Sequence, residues 1–286
     1  HLEKFFRPDA KALRITKASV ADYQDARLKA GAARNSARYE VAILSAAFGV
    51  AVAHELLAAK PSFKLVAAGE KRSGFFEPGD FAALLVELPS DLAALVTFLY
   101  LTGWRRGEGI GLQWAQVDWD DAEYVEGDRE PVAGPNACVR IGETQTKGAD
   151  AREFPIAAFP ALRELLVARW RVRDGLSVFH RHGEPIGDFR KVWATACKKA
   201  GLTGRLVHDL RRTAARDFRR AGVSEGEIMK LCGWKTRVMF DRYNIIDAGD
   251  LRRAVAQRSE INGKQNADSG KQPEMVEVAK TLQGNN

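Results

Sequence analysis

The sequence has no unbroken apolar run near the roughly 20 residues that span a bilayer. The apolar stretch from Leu92 to Leu101 is about half that length and is expected to be a buried helix. No membrane partner is therefore expected. Only three cysteines occur, Cys138, Cys197 and Cys232, scattered and without metal-ligand spacing. That excludes a disulfide framework and predicts buried, neutral thiols in a reducing cytoplasm. There is no glycine-rich phosphate loop of Walker type, no nucleophile elbow and no internal repeat. His180 and His182 flank Arg181 with no carboxylate or cysteine at ligand spacing, and Asp118, Asp120 and Asp121 read as a turn. Neither metal nor cofactor is expected. No secretory signal is read near the beginning; because the first residue is His1, the natural start is expected to lie upstream.

What remains is a basic chain with room for one large or two smaller domains. It has 286 residues, 45% hydrophobic content and 44 Lys and Arg against 37 Asp and Glu, for a net charge of +7. Such a balance suits an acidic polymer but does not identify one.

Residues 11–66 read as all-helical. Val20, Tyr23, Ala26 and Arg27 suggest a short helix ending near Gly31, and Asn35 or Ser36 is expected to cap a longer one. In that longer helix Leu44, Phe48, Val52 and Leu56 recur every four residues as an apolar stripe. Segment 67–76 is polar and contains glycine, which places a linker at 69–76. Helices are expected near Glu77-Pro78, from Ser90 (as N-cap) to Leu101, over 160–172 and 188–200, and from Leu206 to Arg220. A Ser224/Glu227 capping box opens another that closes at Gly233. Leu112–Asp118, Ala137–Ile141 and Arg152–Ile156 read as short strands, with a polar connection over 124–136. The expected organisation is a helical domain at 1–68 and a mixed, mainly α domain with a small antiparallel sheet at 77–258. A disordered, Asn-, Gln- and Gly-containing tail would follow at 259–286.

Several residues carry chemistry, each with a bland alternative. His208 and Arg211 are three apart on one helix face, where a solvated face is the ordinary reading, and Arg212 competes with Arg211. Arg105 follows a helix break at Gly103, and a guanidinium there can grip a phosphate bidentately; Arg106 competes with it. Glu108 either holds an arginine in place or is a solvated acid. Lys147 stands at an expected hairpin tip, as a solubilising lysine or as a proton donor to a departing 5′ oxygen. Trp234 is ordinarily core, yet its indole N–H is a donor. Tyr243 is ordinarily packing, and a phenol becomes a useful nucleophile only where positive charge stabilises the phenolate. Residues 203–220 supply such charge, with six arginines against two aspartates.

Taken in order, Thr102-Gly-Trp-Arg-Arg-Gly-Glu, Thr146-Lys-Gly, His208-Asp-Leu-Arg-Arg-Thr-Ala, Leu231-Cys-Gly-Trp and Asp241-Arg-Tyr resemble the motifs of the tyrosine recombinase, or phage integrase, family. The nine-residue step from Trp234 to Tyr243 and the pairing of Arg105 with Glu108 fit the family too. The likeness spans most of the chain. Residues 11–66 resemble the core-binding domain, with a start, His1 to Leu13, that looks truncated, so that an arm-site-binding domain is expected to be either absent or lost, and 77–258 resemble the catalytic domain. The resemblance selects Arg105 over Arg106 and Arg211 over Arg212, makes Lys147 the hairpin lysine and Tyr243 the nucleophile. It puts Trp234 where the family more often has histidine.

The implied reaction is site-specific recombination of double-stranded DNA through a 3′-phosphotyrosine. Arg105 and Arg211 would neutralise the phosphate, His208 and Trp234 donate hydrogen bonds, Lys147 protonate the leaving 5′ oxygen, and Glu108 support. ATP and metal are not required. The family also implies a homo-tetramer on two DNA sites in the cytoplasm of a bacterium, and leaves room for accessory DNA-bending or directionality proteins. Leu251 and Val255, within 246–258, would face a neighbouring protomer. The rivals are a type IB topoisomerase-like enzyme that cuts and reseals as a monomer, and a DNA-binding regulator with a decayed site. The helical first domain argues against the first, and the complete residue set against the second.

Overall fold

A computed structural model describes residues 1–69, 74–121, 129–142, 151–241, 249–252, 255–256 and 258–260. The chain divides into two compact units, residues 1–72 and 73–286.

The first unit contains α1 (Leu2–Phe6), α2 (Lys17–Lys29) and α3 (Arg34–Ala53). Thr16 starts α2 by exchanging hydrogen bonds with Ser19, a capping box in which both side chains satisfy backbone donors. Val20 and Tyr23 of α2 pack on Val41 of α3, and Phe48 meets Phe63 edge to face at 5.5 Å. Buried Gln24 fastens the extended chain after α3: its Nε2 donates to the Lys64 carbonyl at 2.9 Å and its Oε1 accepts from Val66 N–H at 2.8 Å.

Three expectations for this unit change. α3 begins at Arg34 after Ala33, with no side-chain cap, so Asn35 and Ser36 lie inside it. The apolar stripe holds through Leu44 and Phe48 but ends there: Val52 is half-buried, and Leu56, beyond the end of the helix, is 76% exposed. And α3, at 20 residues and a mean hydropathy of 1.3 in its most apolar window, is by length and composition apolar enough to cross a bilayer, although 17% of that window is buried. The sequence reading missed this because Arg38 and Glu40 interrupt the run. Both are engaged: Arg38 donates to the Val66 carbonyl, and Glu40 pairs with Arg27.

The second unit is built around α5 (Ser90–Thr102), which buries Leu92, Leu95, Val96, Phe98 and Leu99. A helix apolar on so many sides must be wrapped, and α7 (Pro160–Arg171) and α9 (Val207–Arg220) pack on it. α4 (Pro78–Val86) precedes it, capped by Glu77; Pro89 rather than Ser90 is the N-cap of α5, and Ser90 is its first helical residue. Phe76 is fully buried here and donates its N–H to Thr213 of α9 at 3.0 Å. After α5 come α6 (Arg106–Ile110) and a three-stranded antiparallel sheet. It comprises β1 (Val117–Asp118), β2 (Cys138–Ile141) and β3 (Arg152–Pro155) in sequential order, with Val139 facing both Val117 and Phe154. The strand expected over Leu112–Asp118 shrinks to two residues. Gln113 and Gln116 bond each other across a 3-10 turn at Trp114–Gln116, which competes with the ladder. Asp118 accepts from the Asp120 N–H, closing the expected turn.

A small hairpin, β4 (His180–Arg181) and β5 (Glu184–Pro185), leads to α8 (Arg190–Lys199), then α9, α10 (Glu225–Cys232) and α11 (Arg237–Asp241). The Ser224/Glu227 box opens α10 as expected, and Gly233 ends it at φ 66°. The mainly α body with a small antiparallel sheet is the fold class the sequence implied. All three cysteines are free and buried; burial raises Cys138 and pushes the Cys197 and Cys232 thiols up to about 11, so none is a ready nucleophile.

Candidate active site

The site is assembled where α5 stops. Gly103 adopts φ 65°, and a Cβ there would come within 3.0 Å of both Ala214 Cβ and Cys232 Sγ. Glycine is therefore needed twice, for the left-handed turn and for the approach of α9 and α10. The turn drives Trp104 into the core, where its indole donates to the Leu231 carbonyl at 3.1 Å, and sets Arg105 at the start of α6. Glu108, one turn on, reaches back. It accepts from the Arg105 backbone N–H at 2.7 Å and from Arg105 Nη1 at 2.8 Å, while Arg105 Nη2 donates to the Gly233 carbonyl at 3.2 Å. Arg106 instead lies 5.8 Å from the Phe189 ring centroid, so the two neighbours part.

Arg152, on β3, completes this cluster and was absent from the sequence reading. Its Nη2 donates to Glu108 Oε2, its Nη1 to the Cys232 carbonyl at 3.3 Å, and its guanidinium lies 4.6 Å from the Trp104 ring centroid. Burial alone would raise the Glu108 pKa. The charge of Arg152 and then the bonds from Arg105 outweigh it and hold the carboxyl below its ordinary range.

From α9, Arg211 enters the same place. The residue is 2% exposed, donates from Nη1 to the Gly103 carbonyl, and sits 4.9 Å from the Trp234 ring centroid. Its Nη2 is buried with no hydrogen-bond partner among the described residues. Burial lowers its pKa to about 10, which still leaves it charged at neutral pH. Arg212 takes a different neighbour, Asp209 at 3.8 Å. The solvated-face reading of this helix does not survive: residues 209–216 are all buried.

His208, in the first turn of α9, is open to solvent on one side and crowded by protein on the other. That desolvation first, then the charges of Arg211, Arg212 and Arg105, lower its pKa against the opposing effect of Asp209. Trp234 follows Gly233 directly and is 4% exposed, packed edge to face on Phe240 with centroids 5.9 Å apart. A cavity of about 630 Å³ opens beside Trp104, Trp193, His208 and Arg211, with Arg106, Arg190, Lys198 and Arg205 among the cations lining it.

Five of the seven residues singled out by sequence (Arg105, Glu108, His208, Arg211 and Trp234) thus share one region of the second unit. Lys147 and Tyr243 lie outside the described residues, as does the tail over 261–286. On either side of 242–248, Phe240 is buried against Trp234, and Asp250 accepts from Arg219 and from Arg220 of α9. Leu251 and Val255 are 60% and 71% exposed.

Comparison with known proteins gives the same direction. Residues 82–249 match the model of the phage integrase family. The integrase of Salmonella phage P22 is 25% identical over 216 residues, which cover 73% of this chain and 53% of that protein. The chain therefore spans about half the length of that curated relative. A lambda integrase dimer bound to a COC′ core site superposes with a TM-score of 0.68 at 20% identity, covering 85% of this chain and 84% of the other. A lambda integrase tetramer bound to a Holliday junction gives 0.65 at 20% identity, covering 85% and 71%. At this identity the structural likeness concerns the fold: the second unit has the tyrosine recombinase catalytic fold.

Proposed function

The chain belongs to the phage integrase family, and from that premise we propose that it performs site-specific DNA recombination through a 3′-phosphotyrosine intermediate. The observation that carries this reading is Arg211. A guanidinium 2% exposed, with one nitrogen lacking a hydrogen-bond partner among the described residues, is a costly thing to bury unless an anion meets it. Arg105 stands beside the same two glycine turns.

Arg105 and Arg211 bind the non-bridging oxygens of the scissile phosphate and stabilise charge as it develops. Other donors of this kind each contribute about 10²–10³ in rate. The Tyr243 phenol attacks phosphorus and the bond to the 5′ oxygen breaks, leaving a 3′-phosphotyrosyl bond. His208 accepts the phenol proton; its lowered pKa keeps it neutral and able to do so. Lys147 protonates the leaving 5′ oxygen, and Trp234 donates its indole N–H. A 5′-OH of another strand reverses these steps; because the phosphoester energy is kept in the tyrosyl link, no ATP is spent, and because guanidiniums carry the charge, no metal is required. The cations lining the cavity beside His208 suit the flanking phosphates of duplex DNA.

The working species is a tetramer on two DNA sites, for which exposed Leu251 and Val255 are candidate contacts between protomers. The first unit, residues 1–68 in this reading, contributes DNA contacts, and 77–258 carry the chemistry. The test is a nicked suicide substrate drawn from DNA footprinted next to the native gene. Wild type traps a covalent adduct; Tyr243→Phe binds equally and traps none. Adduct formation by that variant would remove Tyr243 from the role, and binding indifferent to salt would remove duplex DNA.

A further inference from the structure

Both terminal nitrogens of Arg152 are committed to protein acceptors, while its Nε is buried with no hydrogen-bond partner among the described residues. Its side chain is 8% exposed, buried deeper than that of Arg105 at 29%. It touches two segments far apart in sequence: Trp104 and Glu108, either side of the start of α6, and the Cys232 carbonyl at the end of α10. The Glu108 carboxylate has two oxygens. Arg105 Nη1 takes one, and the other is shared by Arg105 backbone N–H and Arg152 Nη2. The Cys232 carbonyl lies one peptide before Gly233, whose own carbonyl accepts from Arg105, and two before Trp234. Gly233 carries no side chain at the place where a Cβ would collide with the Arg152 guanidinium.

We infer that Arg152 is a positioning residue for the phosphate site, a buried fork that fixes Glu108 with one nitrogen and the Gly233-Trp234 turn with another. Arg105 and Trp234, on separate elements, are thereby set in one geometry. The inference rests on the recombinase reading for its consequence in catalysis, but the coupling itself is independent of it. The charge of Arg152 is the largest influence opposing the burial of Glu108, so removing it leaves that carboxylate poorly supported and frees the Arg105 side chain to move.

The experiment compares the full chain with Arg152→Gln and Arg152→Lys by three readouts: adduct rate on the nicked suicide substrate, DNA affinity, and the titration of Glu108 followed by carbon-13 NMR of labelled glutamate. A displaced catalytic group costs about 10–100-fold in rate. Arg152→Gln is expected to lose that much adduct rate with affinity changed by no more than about threefold, a loss in turnover rather than binding. Its Glu108 titration moves up. Arg152→Lys restores the charge but not the fork, so Glu108 returns most of the way and the rate only partly. An unchanged rate in folded Arg152→Gln overturns the inference. So does a parallel loss of rate, affinity and melting temperature that lysine does not relieve, because that is a purely structural role. If wild type itself forms no adduct, the recombinase reading fails, and the Glu108 titration decides alone: an unmoved Glu108 in Arg152→Gln overturns the coupling.

Discussion

Each unit holds a cluster of charges built around one glutamate, and the two are balanced differently. In the first, Glu40 accepts from Tyr23 at 2.6 Å and from Arg27 at 2.8 and 2.9 Å. One cation meets one anion, and the phenol fills the remaining valence; burial and the Glu40 carboxylate push the Tyr23 pKa up to about 12. In the second, Glu108 faces Arg105 and Arg152, and Arg211 stands beside them with no carboxylate partner among the described residues. The first is balanced, one cation to one anion, and joins α2 to α3. The second carries surplus positive charge held out of water, which is unfavourable for the folded chain alone and useful only when an anion arrives. Imbalance, more than burial or the number of arginines, sets the second cluster apart from the first, and it is what an anion-binding role would use.

The sharpest way to break the comparison is Arg211→Gln. Adduct formation should fall by about 10²–10³ while the melting temperature holds or rises, because a poorly compensated buried charge is removed. A large drop in melting temperature would mean that the cluster is structural after all. Next is Gly103→Ala, which forces a side chain into a left-handed turn and against α9 and α10. It should destabilise the second unit by about 1–3 kcal/mol in thermal or denaturant unfolding and depress the adduct rate as Arg105 shifts; an unperturbed variant would show that the turn is not needed.

A third prediction concerns pH. The folded pKa of His208 lies below its ordinary 6.5, so the neutral imidazole persists to lower pH than usual. The acid limb of the adduct-rate profile should therefore fall below that value, and a limb at or above it would exclude His208 as proton acceptor. The smallest effect is expected from Glu40→Gln: a loss of about 1 kcal/mol or less after solvent screening, with the chemical step unaltered. Glu40 is held below the usual carboxylate range by the Arg27 hydrogen bond against burial. Its contribution is thus complete above the ordinary glutamate value and disappears as pH falls through the lower folded one.

Much of the site could be read from the chain because local rules wrote it. Gly103 and Gly233 mark helix ends by their conformational freedom, Ser224 and Glu227 spell a cap, and His208 and Arg211 keep helical spacing. Arg105 and Arg106, or Arg211 and Arg212, cannot be told apart by spacing; the structure parts each pair by giving its members different neighbours. Arg152 gave no signal at all. Its significance comes from partners 44 and 80 residues away, across a strand-to-helix contact that no local pattern encodes. At the start of α3 a long-range contact again overrode the local preference, since Asn35 Oδ1 accepts from Gly69 N–H rather than capping the helix; at Leu112–Asp118 the Gln113–Gln116 turn competed locally with the strand.

The Arg211 guanidinium, 4.9 Å from the Trp234 ring centroid, has one more consequence. The excited state of an indole is strongly polar, and the colour of its emission follows the electric field across the ring. A cation held over that ring makes Trp234 a built-in optical gauge. An anion settling on Arg211 would weaken that field and shift the fluorescence without any label. Subtracting the spectrum of Trp234→Phe removes the light of the other five tryptophans and leaves a real-time record of the site filling.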